Sequence, residues 1–296
     1  MTPSELAEAL EGKKEGHEYR CRCPIHGGRS LSLTKKDGKI LVTCRAGCPQ
    51  NEVISELRRL GLWGGNDASY EAPPPAPEPP NDTGRKADKA SDLWNQAHLI
   101  ESGDAVYAYL KNRGIILPEY PADLRCHPRL DYWEIDDTGK PLKTGVFPAM
   151  LAIVRNSQGK PVALHRTYLT EDGRKAQVSA PKKILKVHDL AGSGVRLFSP
   201  RDGLIAVCEG IEDALSAWIL WQIPTWAVLG TSGMKTFRSP EEILGLTILA
   251  DNDEPGKKAA LELAQRLEDK GKKAVRIRVP SGHAKDINQL LMESTR

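Results

Sequence analysis

Short apolar runs alternate with polar boundaries through the last hundred residues of the chain. Strands are predicted at 204–208, 225–229, 246–250 and 274–279, and helices at about 211–221 and 256–270. A short apolar run between polar boundaries is typical of a buried strand in a parallel sheet. Strands that alternate with helices build a doubly wound sheet, so this part of the chain is predicted to be an α/β domain.

Acidic residues directly follow two of these strands. Glu209-Gly210-Ile211-Glu212-Asp213 comes after strand 204–208, and Asp251-Asn252-Asp253 comes after strand 246–250. Open α/β sheets bind ligands just past the carboxyl ends of their strands. Carboxylates gathered there repel one another unless a cation neutralises them, and hard oxygen ligands suit Mg²⁺ or Mn²⁺. We therefore expect a metal-dependent phosphoryl-transfer site; the alternative is that these acids are only turn and helix-cap residues.

Four potential zinc ligands occur near the start of the chain, with the spacing C-x2-H-x17-C-x3-C: Cys23, His26, Cys44 and Cys48. Two ligand pairs separated by a hairpin-sized gap are typical of a tetrahedral Zn²⁺ site. The residues between the pairs predict a β-hairpin of strands 31–34 and 40–43 around Asp37-Gly38, followed by a helix at 50–60. Because this segment has few apolar residues, the metal would supply much of its folding free energy. Cys21 could replace Cys23, and the alternative to a site is a set of reduced thiols.

The middle of the chain, 125–200, alternates like β-strands at 149–154, 162–169 and 183–187. Basic residues crowd it: Arg155, His165, Arg166, Arg174, Lys175, Lys182, Lys183, Lys186 and Arg196. Strands that lie side by side would present them as one positive surface, which suits a nucleic-acid backbone or a nucleoside triphosphate. For any one of them, plain solvent exposure is the simpler interpretation. Ser232 and Lys235, on the loop after strand 225–229, are further candidate phosphate contacts, with an ordinary turn as the alternative.

A proline-rich stretch separates the zinc-ligand segment from the rest of the chain. Residues 72–80 contain six prolines, which predicts a semi-rigid tether, with a proline-rich ligand for a partner protein as the alternative. Helices are expected to follow at about 92–100 and 104–112. The predicted organisation is a zinc module at 1–63, a linker at 64–91, a basic α+β subdomain at 92–200 and the α/β domain at 201–296.

Composition and overall charge give information on the expected cellular location of the protein but little on its chemistry. The net charge is +3 and the pI is about 8.4, so only local clusters can indicate nucleic-acid binding. The sequence has no apolar run of the roughly 18 residues that a membrane span needs. Its first residues lack a signal-peptide pattern, and a cytoplasmic location is expected. Cysteines in that compartment are more often metal ligands or buried thiols than disulfides.

The zinc-ligand segment resembles a known module. Cys23-Pro-Ile-His26, the strand at 29–33, and Cys44 and Cys48 followed by a short helix are similar to the CHC2-type zinc-binding domain of bacterial, phage and plasmid DNA primases. That resemblance implies a module that reads template DNA. The spacing between Cys44 and Cys48 is one residue longer than the common form, and it is similar to the variant in phage and mobile-element primases.

The acidic segments resemble a Toprim domain, which bacterial-type primases, type IA and II topoisomerases and some nucleases share. The resemblance is carried by Glu209-Gly210-x-x-Asp213 and Asp251-x-Asp253. Lys285-Asp286-Ile287-Asn288 is similar to the third acidic motif of primases, although a second acid is expected at the position of Asn288. The implied Mg²⁺ or Mn²⁺ ligands are Glu209, Asp251, Asp253 and Asp286. Asp213 is expected to face the same cluster, and Glu209 could also assist proton transfer.

The basic stretch loosely resembles the polymerase subdomain that precedes the catalytic core of bacterial-type primases. The similarity covers 159–166, 180–183 and 196–198. It implies that Arg166, Lys182 and Lys183 contact nucleotide or template, and Lys175 is a further candidate from the same stretch.

Zinc module, tether, basic subdomain and Toprim-like core occur in the order expected of a DNA primase. We expect synthesis of short RNA primers on single-stranded DNA from ribonucleoside triphosphates. The sequence contains no Gly-x4-Gly-Lys-Ser/Thr loop, so a separate helicase is an expected partner. The alternatives are a Toprim nuclease, in which water replaces the primer hydroxyl, and a non-catalytic replication or partner-binding protein, which Asn288 favours.

Overall fold

A computed structural model describes residues 2–15, 18–36, 39–44, 48, 50–63, 82–136, 139–269, 271 and 274–294. The chain divides into two compact units, Met1–Pro77 and Glu78–Arg296, and the finer domain boundaries stay predictions. The expected Asp37-Gly38 turn and the proline-rich stretch lie outside the described residues. Among the described helices, none is both long and apolar enough to cross a bilayer.

The first unit is a four-stranded antiparallel sheet with a helix at each end of its sequence. Its elements are α1 (Pro3–Ala9), β1 (Lys13–Glu15), β2 (Glu18–Cys21), β3 (Leu31–Lys36), β4 (Lys39–Cys44) and α2 (Gln50–Arg59), with strand order β1-β2-β3-β4. The hairpin expected between the two ligand pairs is β3–β4, in which Leu31 lies opposite Cys44. The sequence patterns did not predict α1, β1 and β2. The core is small, with Leu6, Leu33 and Leu57 fully buried in it.

The second unit begins with two helices and an antiparallel sheet. These are α3 (Asp82–Gln96), α4 (Ala105–Lys111), β5 (Leu124–Ile135), β6 (Pro141–Arg155), β7 (Pro161–Tyr168) and β8 (Lys182–Lys186), with strand order β5-β6-β7-β8. Two expectations need correction. The helix expected near 92 begins at Asp82, where an Asp82–Lys86 ion pair supports its first turn and Leu93 and Trp94 pack on the sheet. The long strand β5 was not predicted, because bulges interrupt its alternation.

The two faces of this antiparallel sheet pack against different elements. Cys126, Met150 and Ala152 lie in a core shared with α4 and with the α/β domain. Tyr132, Leu151, Leu164 and Tyr168 lie in the other core, under α3. Because side chains alternate along a strand, neighbouring residues of β7 and β8 lie on opposite faces.

The C-terminal part is the expected doubly wound parallel sheet. It contains β9 (Leu204–Cys208), α5 (Ile211–Trp221), β10 (Thr225–Ala227), α6 (Thr231–Thr236), β11 (Gly245–Leu249), α7 (Glu254–Glu268), β12 (Ala274–Arg278) and α8 (Ile287–Ser294), with strand order β10-β9-β11-β12, all parallel. Ala206 and Cys208 of β9 face a core built with α5 and α8. Ile205 and Val207 face a second core built with α6 and α7. The α/β prediction is confirmed; α6 and α8 are the elements that it lacked.

Gly233→Ala is expected to destabilise the α/β domain strongly. A Cβ atom at Gly233 would lie 1.6 Å from the backbone oxygen of Val228, so α6 must move off the end of β10. We expect a loss of more than about 2 kcal/mol in the free energy of unfolding, measured by urea denaturation. Ser232→Ala, at the exposed neighbouring position, is the control and should change stability by less than about 0.5 kcal/mol. Equal stability of the two variants would contradict this close approach.

Candidate functional site

The carboxyl ends of β9 and β11 bring the two acidic segments together. The strands are parallel neighbours, so Glu209 and Asp251, which follow them, lie at the same edge of the sheet. The backbone N–H of Asn252 donates to the carbonyl oxygen of Lys285 at 2.7 Å, which brings the third segment alongside. Five acidic residues line one cleft of about 480 Å³: Glu209, Glu212, Asp213, Asp251 and Asp286. We call Glu209, Asp213, Asp251 and Asp286 the acidic wall, because Glu212 instead pairs with Lys182.

The ionisation of these acids reflects how closely they are crowded. Burial and then the charges of Glu209, Asp286 and Asp253 raise the pKa of Asp251 to about 6. Burial and then Asp286 raise the pKa of Asp213 to about 7. The pKa of Glu209 is raised by burial and then by Asp253 and Asp213. Residues from three separate segments therefore form one anionic site, as the sequence predicted.

Two of the predicted metal ligands, Asp253 and Asp286, are helix caps, which was the alternative interpretation of the acidic segments. Asp253 accepts a hydrogen bond from the backbone N–H of Gly256 at 2.9 Å and caps α7. Its other oxygen lies 3.8 Å from Lys285 Nζ, and Asp253 is not among the residues that line the cleft. Asp286 accepts from the backbone N–H of Gln289 at 2.7 Å, at the start of α8. Each cap uses one carboxylate oxygen and leaves the second for another partner.

Asn288, at the position where an acid was expected, is a buried structural amide. Its side chain donates to the Arg113 carbonyl oxygen at 2.9 Å and to Ser216 Oγ at 3.1 Å, and its Oδ1 accepts from the Arg113 guanidinium at 2.9 Å. Its backbone N–H donates to Asp213 Oδ1 at 3.0 Å. A carboxylate could accept from Arg113 but could not donate to the other two groups. The chain therefore has Asn288 in place of the expected acid because this position needs a side chain that can donate hydrogen bonds.

The acidic residues suit a hard divalent cation. Glu209 Oε1 is buried and has no hydrogen-bond partner among the described residues. A Cβ atom at Gly256 would lie 3.0 Å from both the Cβ and the backbone oxygen of Asp251, so only glycine lets α7 begin this close to the site. All the available donors are carboxylate oxygens, the ligand type that Mg²⁺ and Mn²⁺ prefer. Glu209, Asp251, Asp253 and Asp286 are the residues that would hold such an ion.

Basic residues line the same cleft as the acidic wall. They are Arg113, Lys175, Lys182 and Lys183, and we call them the basic wall. Burial and then the charge of Lys182 lower the pKa of Lys175, as expected for cations that share a site. Arg113 follows α4, and the sequence analysis assigned it no function. Its guanidinium lies over the Tyr109 ring, 5.0 Å from the ring centroid.

Glu212 is a functional candidate to which the sequence analysis assigned no role. It is buried in the first turn of α5, with its carboxylate 2.6 Å from the Tyr109 hydroxyl and 3.0 Å from Lys182 Nζ. Burial alone would raise the pKa of Glu212, but Lys182 and the Tyr109 hydrogen bond outweigh it and lower that pKa to about 2. The only signal in the sequence was a second acidic residue beside Asp213 at the start of a mostly apolar helix.

His165 lies on the floor of the cleft as a neutral imidazole. Its side chain is buried, and its Nδ1 atom has no hydrogen-bond partner among the described residues. Burial and then the charge of Lys182 lower the pKa of His165 to about 4. The ring is therefore uncharged at neutral pH and offers a ligand a hydrogen bond without a charge.

The remaining basic candidates do not all meet in the cleft. Arg166 lies opposite Lys183 in the sheet, on the face away from Lys182, and lines a groove of about 400 Å³ beside Trp133. Lys183 lines both this groove and the cleft. Lys235 is not among the residues that line the cleft, and its Nζ pairs with Glu262 at 3.1 Å. Strand alternation places Arg166 and Lys182 on opposite faces of the sheet, and the contacts of Arg166, Lys182 and Lys183 with nucleotide or template stay predictions.

The first unit brings its four predicted zinc ligands together. Ligand atoms of Cys23, His26, Cys44 and Cys48 lie within 4.8 Å of one another, with His26 Nε2 3.3 Å from Cys44 Sγ. Three thiols and one imidazole are a donor set of structural Zn²⁺ sites. Burial and then the neighbouring thiols raise the pKa of Cys48 to about 11, the result of crowding thiols that a cation would deprotonate. Cys21 is buried in the core and is not part of the group.

Two family models match adjoining parts of the second unit. Residues 204–296 match the Toprim domain, which confirms the resemblance of the acidic segments. Residues 84–197 match a domain of unknown function, DUF7146. No curated protein matches the chain in sequence.

Solved structures similar to this chain include three primase fragments. A DNA primase domain from Pseudomonas aeruginosa is 17% identical, with 71% of this chain and 74% of that chain covered and a TM-score of 0.47. The zinc-binding and RNA polymerase domains of the Aquifex aeolicus primase are 13% identical, with 98% and 79% covered and a TM-score of 0.44. The primase fragment of the bacteriophage T7 primase-helicase protein is 22% identical, with 50% and 59% covered and a TM-score of 0.38.

We expect the purified chain to bind one zinc ion through the four converging ligands. Cys23→Ser should abolish that zinc, measured by elemental analysis of the purified protein, because three ligands hold Zn²⁺ much less tightly than four. Cys21→Ser is the matched control and should keep the metal, since Cys21 lies outside the group. Retention of zinc by Cys23→Ser together with its loss from Cys21→Ser would reverse the assignment.

His165 is expected to make stability depend on pH in the acidic range. Its folded-state pKa, about 4, is below the ordinary value of 6.5, so the unfolded chain binds the proton more tightly. Its contribution is full above about pH 6.5 and is lost as the pH falls toward 4. The loss is on the order of 3 kcal/mol. Urea unfolding of wild type and His165→Asn across this range measures the difference. Equal pH slopes would show that His165 is not buried as a neutral ring.

Proposed function

We infer from the Toprim domain at residues 204–296 that the chain is a DNA primase, which synthesises short RNA primers on single-stranded DNA. One observation carries the proposal: the acidic wall and the basic wall line the same cleft. Phosphoryl transfer to a growing strand needs ligands for cations and cationic groups for a polyphosphate chain. The order of segments in the sequence, with a zinc module first, supports the same function.

The acidic wall would hold the divalent ions, through Glu209, Asp251 and Asp286, with Asp253 beside them. Bound Mg²⁺ or Mn²⁺ supplies Lewis acidity that lowers the pKa of the primer 3′-hydroxyl and neutralises charge in the displacement of pyrophosphate. The chain itself fixes the positions of the ligands. Two of them are anchored as helix caps, and Glu209 follows directly from a buried strand.

The basic wall would bind the triphosphate of the incoming ribonucleotide. Lys182 and Lys175 approach from the antiparallel sheet side, and Arg113 comes from the end of α4. These cations offset the charge of the phosphates without coordinating metal. Glu209 Oε1, which is buried and has no hydrogen-bond partner among the residues that the structure describes, would also accept the proton that leaves the attacking hydroxyl.

The zinc module would contact the template strand. Arg29 and Lys35 are exposed next to and on β3, the strand that follows the first ligand pair. Exposed cations on a small metal-stabilised sheet suit the phosphates of single-stranded DNA. A separate replicative helicase would be the partner that unwinds the duplex ahead of the primase.

The proposal predicts that Asp251→Asn abolishes primer synthesis. The full chain is incubated with circular single-stranded DNA, Mg²⁺ and labelled ribonucleotides, and labelled oligomers are resolved on a gel. Losing one of the carboxylates that would bind metal should lower their yield at least about a hundredfold. Asp269→Asn, exposed at the end of α7, is the control and should leave synthesis unchanged.

The same assay separates the alternatives. Nicked circles without labelled oligomers would indicate a Toprim nuclease, in which water is the nucleophile. Wild-type and Asp251→Asn proteins that bind DNA equally and react with nothing would indicate a non-catalytic replication protein.

A further inference from the structure

A buried carboxylate lies beneath the basic wall and has no place in the metal site. Glu212 lies three residues after Glu209, but the structure uses the two side chains differently. Glu212 Oε1 is 2.6 Å from the Tyr109 hydroxyl and 3.0 Å from Lys182 Nζ, and its Oε2 is 3.3 Å from the same Nζ. Glu209 Oε1, in contrast, is buried and has no hydrogen-bond partner in the described part of the chain. Both oxygens of Glu212 therefore contact Lys182, and one of them also accepts from Tyr109.

Glu212 holds Lys182 at the cleft. Lys182 begins β8, at the edge of its sheet, and its side chain is 40% exposed. A lysine in such a position has a flexible four-carbon stem, and ordering it costs side-chain conformational entropy. The carboxylate of Glu212 contacts Nζ through both oxygens, which fixes the ammonium group at the wall. An ammonium group has three N–H donors, so at least one can face the cleft.

Tyr109 holds Glu212 from the other side. Its ring is buried in α4, and its hydroxyl donates to the carboxylate. Burial and then the charge of Glu212 raise the pKa of Tyr109, which keeps the hydroxyl protonated and therefore a donor. The Arg113 guanidinium, a second member of the basic wall, lies over the same ring. Arg113 is in turn held by Asn288 on α8.

The energetics favour a positioning role over a stabilising one. A carboxylate that is buried to pair with a lysine loses much of its hydration, so such a pair adds little to the free energy of folding. Its geometric effect is larger, because it fixes one donor of a site that must match a phosphate group. Lys182 and the Tyr109 hydrogen bond outweigh burial and lower the pKa of Glu212, whereas the pKa values of Asp213 and Asp251 are raised.

We propose that Glu212 and Tyr109 are positioning residues that orient Lys182 toward the phosphate chain of the nucleotide in the cleft. The proposal rests on the proposed function, because it takes a nucleoside triphosphate as the ligand. Glu212 and Tyr109 act through Lys182 and touch neither the nucleotide nor the metal ions.

The test measures binding of Mg²⁺·ATP and Mg²⁺·GTP to the full chain by calorimetry, without DNA. Glu212→Gln should weaken nucleotide binding about tenfold, as should Lys182→Gln. The double variant should bind no more weakly than Lys182→Gln alone, because Glu212 acts through that lysine. Tyr109→Phe keeps the ion pair and should weaken binding only about twofold to threefold.

Glu262→Gln is the matched control, since it removes the carboxylate of an exposed ion pair with Lys235 on α6. Nucleotide binding by this variant should equal that of the wild type. Thermal unfolding of every variant reports stability separately from binding. If Glu212→Gln lowers the melting temperature but binds nucleotide like the wild type, Glu212 is structural and the proposal is wrong.

Two further outcomes also decide the question. If the losses of nucleotide binding caused by Glu212→Gln and by Lys182→Gln add in the double variant, Glu212 does not act through Lys182. A wild-type chain that binds neither nucleotide would also overturn the positioning role. A chain that binds nucleotide in a Glu212-dependent way but makes no primers would keep this inference and refute the primase assignment alone.

Discussion

Mutual repulsion between carboxylates at one edge of the parallel sheet is the constraint on which the site depends. β9 and β11 end side by side, so the acids that follow them cannot separate without breaking the sheet. Burial and then the neighbouring acids raise the pKa values of Asp213 and Asp251, and a divalent cation would offset the repulsion between them. Glu212 is the exception in this region, because a lysine and a tyrosine already satisfy its charge. Residues 209–213 thus contain Glu209, a proposed metal ligand, and Glu212, which pairs with Lys182.

The antiparallel sheet supplies the opposite charge through a few of its many basic residues. Alternation along β7 and β8 sends Lys182 and His165 toward the cleft and Arg166 toward the other face. The two faces of the antiparallel sheet have different neighbours. One face is covered by α3, and the other shares its core with α4, α5 and α8. The result is a cleft whose two walls have opposite charge and come from two different sheets. Strand ends and helix caps anchor the acidic wall, buried hydrogen bonds anchor the basic wall, and Asn288 bonds to both through Asp213 and Arg113.

The sequence was most informative where chemistry follows directly from a strand. The strands and long helices of the α/β domain were predicted within about two residues, and Glu209 and Asp251 could be located because each follows a short apolar run. β5 escaped prediction because its register shifts near Leu130 and Trp133 break the alternation. The role of Glu212 could not be read from the sequence, since its partners are 30 and 103 positions away. Likewise, the sequence pattern does not show toward which face of the sheet a side chain of an edge strand points, because the pairing register with the neighbouring strand determines that face.

The place of β8 in its sheet has a consequence for solubility as well as for catalysis. β8 is the last strand of the order β5-β6-β7-β8, so one row of its backbone groups has no neighbouring strand in that sheet. Three of its five residues are lysines, Lys182, Lys183 and Lys186. Lysines on such a strand discourage edge-to-edge association between molecules, because like charges would meet and their ammonium groups would lose water. Under the proposed function, Lys182 and Lys183 would serve both ligand binding and protection against aggregation, so selection on either property would constrain the other.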